Sequence, residues 1–158
     1  AYSIDYIILI IAIILISLSF HELAHAWVAD RLGDPTAKLM GRVSMNPKAH
    51  WDPIGTTMLV VLIFLQSFGL PFAAFGWGKP VPINPNNFKN FKRDLLLSTM
   101  AGPASNLIMA IILSLILRFF IPVGTIFTNL FIDAISLNIF LMIFNLIPIP
   151  PLDGFEIL

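Results

Sequence analysis

The stretch "FHELAHAW", residues 20 to 27, puts two histidines and a glutamate at the end of an almost wholly apolar run from Ile4 to Phe20. His21 and His25 are four apart, so on a helix they differ by about 40° in azimuth and about 6 Å in height. Both imidazoles can therefore reach one metal ion. Glu22, one step from His21, is near enough to hold water at such an ion but badly placed to join the same ligand set. The pattern fits metal-assisted hydrolysis, with two imidazole ligands and a carboxylate that moves protons. A five-residue match alone is weak. Charged groups at bilayer depth, however, cost about 2.5–3.5 kcal/mol each on the insertion scale, and a divalent cation offers the compensation three such groups need.

A tetrahedral catalytic site takes three protein ligands, and the chain has no cysteine, so the donors are nitrogen and oxygen. The extended pattern with a third histidine fails, because Val28 and Arg31 stand where glycine and histidine are required. No glutamate lies between Glu22 and Glu156. His50 and the aspartates remain. Asp30, Asp34 and Asp52 sit in or beside a loop rich in basic residues and read as solvated charges. Asp5 and Asp94 read as interfacial groups at span ends, and Asp133 as interfacial or paired with Arg118. Asp153 differs: "IPIPPLDG" places it on a proline-held segment, expected to be non-helical, directly after a span. Irregular backbone at that depth is tolerated where it lines a cavity.

The elements that must position these groups follow from composition. Of 158 residues 58% are apolar and 11% charged, and mean hydropathy is +0.90. Soluble domains carry roughly 25% charge, so this reads as an integral, multi-pass membrane protein. Zero net charge and the lack of a long basic run exclude nucleic acid as a partner. Spans of about 20 apolar residues fit four times, at 4–29, 54–75, 95–120 and 126–147, with the third broken early by "AGPASN". The first lacks the flanks of a removable signal peptide and reads as a permanent span. Between the first two spans, "TAKLMGRVSM" alternates well enough to predict a short strand pair. The expected fold is therefore an all-α membrane bundle of about four helices with a β-hairpin in the first loop, forming a single core domain over residues 1–158. Basic residues divide evenly around the second span and set no orientation.

"HELAH", "GRVSMNPKAHWDPIG", "AGPASN" and "NLIPIPPLDG", in this order and spacing, closely resemble the site-2 protease family of intramembrane zinc metalloproteases. The resemblance spans nearly the whole chain. It implies that His21, His25 and Asp153 ligate one zinc ion and that Glu22 is the general base toward the zinc-held water. It also implies that Asn145 donates to the peptide carbonyl or developing oxyanion, with Asn106 a weaker candidate for that task or for holding the substrate strand. Two imidazoles and a carboxylate also suit iron or cobalt. Gly102 and Pro103 read as helix-packing residues, and His50 as structural or interfacial. Phe155 stands where many members have a second glycine. The segment 76 to 94 is too short for the PDZ insert of some members, so the resemblance is to a compact form.

The function this implies is endoproteolysis in or near transmembrane segments of membrane-protein substrates, such as an anti-sigma factor or membrane-tethered regulator. The substrate helix must unwind locally, because a helical peptide bond is shielded and its carbonyl already bonded. A strand at 37–45 would guide an extended substrate by edge pairing. Two rivals stand beside it. A metal-binding but inactive membrane scaffold or chaperone would not need Glu22, and a metal transporter would place ligand sets on several spans.

Overall fold

In a computed structural model, which describes residues 3–69, 76–150 and 152–157, the chain is helical. Helix α1 spans Ile4–Leu32, α2 Thr36–Leu39, α3 Gly55–Ser67, α4 Phe91–Phe120, α5 Ile126–Asn145 and α6 Asp153–Ile157. Single 3₁₀ turns occupy Pro47–His50 and Pro85–Asn87. Three helices, α1, α4 and α5, are long and apolar enough to cross a membrane. α4 is the centre, packing α1 on one side and α5 on the other, while α3 touches α1 only lightly.

The packing is polar inside and apolar outside. Ser17, Ser19, Ser98, Thr99, Asn106 and Asn138 are buried, whereas Ile108, Ile111, Leu115, Phe140 and Ile143 are exposed. A soluble protein would pay heavily for such a surface, but lipid is as apolar as these side chains, so helices associate through small residues and interhelical hydrogen bonds instead. On α4 the buried residues Ser98, Gly102, Asn106 and Ala110 recur every four positions, a small-residue stripe along which its neighbours approach.

Several expectations are corrected. Among the described residues there is no strand, and the expected β-hairpin is absent. "TAKL" is a helical turn instead, closed by a Schellman ending: the Arg42 N–H bonds the Ala37 carbonyl at 2.8 Å and the Gly41 N–H the Lys38 carbonyl at 2.9 Å, with Gly41 at φ 70°. Capping chemistry outweighed the alternating pattern, and edge pairing by a strand at 37–45 falls with it. The second expected span, 54–75, holds a helix of only 13 residues. It ends where Gly69 takes φ 80° and bonds back to Gln66, and residues 70–75 lie outside the described residues. α4 is not broken at "AGPASN" but runs through Pro103. In a membrane bundle, neighbouring helices and local adjustments satisfy the groups a proline frees. Asp153 opens the short helix α6 rather than lying on non-helical chain.

The aspartates also find partners other than those expected. The Tyr6 hydroxyl donates to Asp133, and Arg118 lies instead over the Phe119 ring. This Asp133 borders a cavity of about 470 Å³ between α1, α3 and α5, lined mostly by isoleucines. Asp52 caps α3, accepting from Ile54 and Gly55 N–H at 2.9 and 2.6 Å. Asp30 pairs with the exposed Lys38 at 3.0 Å. Asp34, expected to be solvated, is fully buried and ties the first loop to the second: it accepts from Thr36 N–H at 3.1 Å, Asn84 N–H at 2.7 Å and Asn87 Nδ2 at 2.8 Å.

Burial alone would push the Asp34 carboxyl up, but the hydrogen bonds from Thr36, Asn87 and Asn84 outweigh it and hold the group below its ordinary range. The folded state then binds the proton less tightly than the unfolded chain. This contribution to stability is present above the unfolded value near pH 4 and is lost as pH falls through the folded one. Asp34→Asn is accordingly expected to lower the unfolding temperature by several degrees near pH 7 and by much less near pH 3, as a detergent-based melting series would record. An equal drop at both values would refute the assignment.

Candidate metal centre

α1 carries His21 and His25 about 25 and about 31 Å along its axis from Ile4, on the face that meets α4. Both rings are buried, at 3% and 5% exposure. The reason they fit is Gly102. A Cβ there would overlap His25 Nε2 and lie 2.6 Å from its Cε1 and 2.7 Å from His21 Cε1. The glycine expected to serve helix packing thus opens the volume the imidazoles occupy.

Each ring is held by its Nδ1. His21 Nδ1 donates to Asn106 Oδ1 at 2.6 Å and His25 Nδ1 to the Ser98 carbonyl at 2.8 Å, both acceptors on α4. Asn106 is itself fixed, its Nδ2 donating to Asn138 Oδ1 on α5 at 2.9 Å. Asn138 Nδ2 in turn donates to Ser17 Oγ on α1 at 3.0 Å and to the Ala134 carbonyl. This closed circuit through three helices sets the tautomer: with the proton on Nδ1, each Nε2 presents a lone pair.

Those lone pairs meet the Asp153 carboxylate. His21 Nε2 and His25 Nε2 are 3.1 Å apart, and Asp153 Oδ2 lies 3.1 and 3.3 Å from them. α6 is able to reach the site because Gly154 has no side chain: a Cβ would lie 2.5 Å from the Leu146 carbonyl carbon and 2.6 Å from the Ile147 oxygen. Thr99 on α4 bonds Glu156 of the same short helix at 3.4 Å.

This donor set fits a tetrahedral cation. Nitrogen and oxygen ligands at about 2.0–2.1 Å from one ion stand roughly 3.3–3.4 Å from each other, close to the observed triangle. Asp153 Oδ2 is buried and accepts no hydrogen bond, although two imidazoles lie beside it. Three lone-pair atoms this close repel unless a positive centre sits among them. His21, His25 and Asp153 are also the one group of metal-type donors found among the described residues.

The remaining site residues are placed as follows. Glu22 is half-buried on α1, beside the 76–80 segment: a Cβ on Gly78 would lie 3.8 Å from its Oε1. Asn106 stands behind His21. Asn145, near the end of α5, donates from Nδ2 to the Leu141 carbonyl at 2.9 Å and is not drawn into the cluster. His50 lies apart from the triangle, with Nε2 donating to the Ser44 carbonyl at 2.7 Å. Sequence reading missed Asn138 and the Ser98 carbonyl. An asparagine inside an apolar span was the available signal for Asn138; a backbone acceptor leaves none.

Asn106→Leu is expected to weaken divalent-cation affinity about 10–100-fold with helical content retained, and Asn106→Asp, which keeps an acceptor, to weaken it less. Competition against a chelator would measure both, and an unchanged Leu variant would remove Asn106 from the site. Gly102→Ala is expected to lose the bound cation altogether, because the added methyl displaces both rings; full metal content in that variant would contradict the steric reading.

Comparison with known proteins gives a consistent picture. The chain is 40% identical over 153 residues to "Putative zinc metalloprotease YwhC" of Bacillus subtilis, an alignment covering 92% of this chain and 65% of that protein. It is 33% identical over 150 residues to "Putative zinc metalloprotease Rip2" of Mycolicibacterium smegmatis, covering 94% of this chain and 55% of the relative. To "Putative zinc metalloprotease MJ0611" of Methanocaldococcus jannaschii it is 26% identical over 139 residues, covering 88% and 63%. The chain thus spans between 55% and 65% of the length of these relatives. No family profile and no solved structure matches it. Two alignments above 30% identity run over nearly all of its residues, so the chain is a relative of proteins named as zinc metalloproteases, in agreement with the resemblance of its motifs to the site-2 protease family.

Proposed function

We propose that this chain is the core of a multi-pass membrane zinc metalloendopeptidase that hydrolyses peptide bonds in or near transmembrane segments of other membrane proteins. The observation that carries the reading is the triangle of His21, His25 and Asp153, with both histidines on a helix apolar enough to cross a membrane and Glu22 next to His21 in sequence. His21, His25 and Asp153 would hold the zinc, which when bound supplies a Lewis acid for the scissile carbonyl and lowers the pKa of water to about 7.

The chain's own residues do the rest. Asn106 and Ser98 hold the two imidazoles in the tautomer that presents Nε2. Glu22 takes a proton from the attacking water and returns it to the leaving amine. Asn145 gives one N–H to Leu141, and the role the family resemblance implies for its second N–H, donation to the charge developing on the peptide oxygen, requires the bound substrate to extend to the end of α5. The apolar exterior confines substrates to chains in or at the bilayer. There a helix must open before its peptide bond can be reached, so helix-weakening residues near the cleavage point favour cutting. A membrane-tethered regulator or anti-sigma factor has the required form.

The experiment is cleavage of a single-span reporter in liposomes by the purified protein, beside Glu22→Gln, with bound zinc quantified in both. Wild type is expected to cut. Loss of general-base catalysis should slow the variant by roughly 10²–10⁴-fold with its zinc retained. Zinc in both and cutting by neither, across several helix-weakened reporters, would favour the scaffold; zinc flux across the liposome would favour the transporter.

A further inference from the structure

Beside Glu22 lies a second set of buried polar atoms that the hydrolytic scheme leaves unused. The Schellman turn at Gly41 sends Arg42 inward, where it is 4% exposed. Its Nη2 donates to the carbonyl of Lys79 and, at 3.2 Å, to that of Pro80. Its Nε and Nη1 are buried with no partner. Burial pushes the guanidinium below its ordinary value, and the Glu22 charge works against that shift, so the two groups sense each other; an arginine stays charged regardless.

The same wall carries a buried acceptor. His50 is 3% exposed, and because Nε2 donates to Ser44, its Nδ1 is left as a lone pair without a partner. The wall is firmly tied. Lys79 N–H bonds the His50 carbonyl at 2.8 Å, and Thr56 Oγ1 donates to the Trp77 carbonyl at 3.0 Å. Gly78 thereby sits against both Glu22 and the His50 carbonyl. Unpaired donors and an unpaired acceptor, all buried on one wall, match the chemistry of an unfolded peptide unit, which offers one carbonyl and one N–H.

We infer that Arg42 is a substrate-binding residue: its free N–H groups donate to a main-chain carbonyl of the locally unwound substrate beside Glu22, and His50 Nδ1 accepts a neighbouring main-chain N–H. The inference rests on the proteolytic reading above. It gives that reading a physical basis for selecting unwound segments, since a helical substrate has already used the carbonyl and N–H that the wall requires.

The test uses Arg42→Lys and Arg42→Gln in the liposome reporter assay, with zinc content and melting temperature recorded. KM should rise about tenfold with kcat within a few-fold of wild type, and binding of the reporter to the inactive Glu22→Gln protein should weaken about tenfold when Arg42→Lys is added. Zinc content should not change. A fall in kcat with KM unchanged, loss of zinc, or failure of both variants to fold would make Arg42 a purely structural tie for the 77–80 wall and overturn the inference. Wild-type cutting and its loss in Glu22→Gln would still stand, so this failure is distinct from failure of the protease reading.

Discussion

The imidazoles of His21 and His25 occupy a space that exists only because Gly102 on the facing helix has no side chain, and the rest of the interior is arranged around that close approach. Two rings on one helix face cannot enter an apolar bundle without partners for their N–H groups, since each unsatisfied polar group in a dry interior is costly. Asn106 and the Ser98 carbonyl, each about one turn from Gly102, supply them. The approach of α4 to α1 and the orientation of the rings are thus one constraint.

From there the constraint spreads to α5. Asn106 needs its own partner, which Asn138 provides, and Asn138 reaches back to Ser17 on α1. The three helices are linked in a ring of hydrogen bonds whose free ends point at the metal position. Helix association without a hydrophobic driving force depends on such contacts. The polar residues that orient the two imidazoles are therefore also those that hold the three helices together.

Asp153 joins from the other end of the chain because the turn after α5 folds back, which the missing Cβ of Gly154 permits. On the opposite side of Glu22 the loops form a second ordered unit, with buried Asp34 bridging the two polar segments and Arg42 fixing the 77–80 stretch. One side brings together the metal-type donors and the other carries buried polar atoms without partners, with Glu22 on α1 lying against Gly78 of the second.

Much of this was legible in the residues. The 4-residue spacing of His21 and His25 fixed their common helix face, apolar run lengths located α1, α4 and α5, and the ending "PPLDG" marked Asp153 through its resemblance to a known pattern. The strand pair at 37–45 was misread because alternation over a few residues cannot compete with a glycine placed to cap a helical turn. Among the described residues the second expected span holds a 13-residue helix that a left-handed Gly69 ends. The sequence by itself determined which groups could do chemistry and that the helices beside them are apolar enough to cross a membrane, since both follow from residue type and local period. Only the tertiary structure decided that Gly102 leaves room for the imidazoles, that Asn138 completes the circuit and that buried Arg42 senses the Glu22 charge, because each depends on residues 20 to 121 positions apart, which no local pattern encodes.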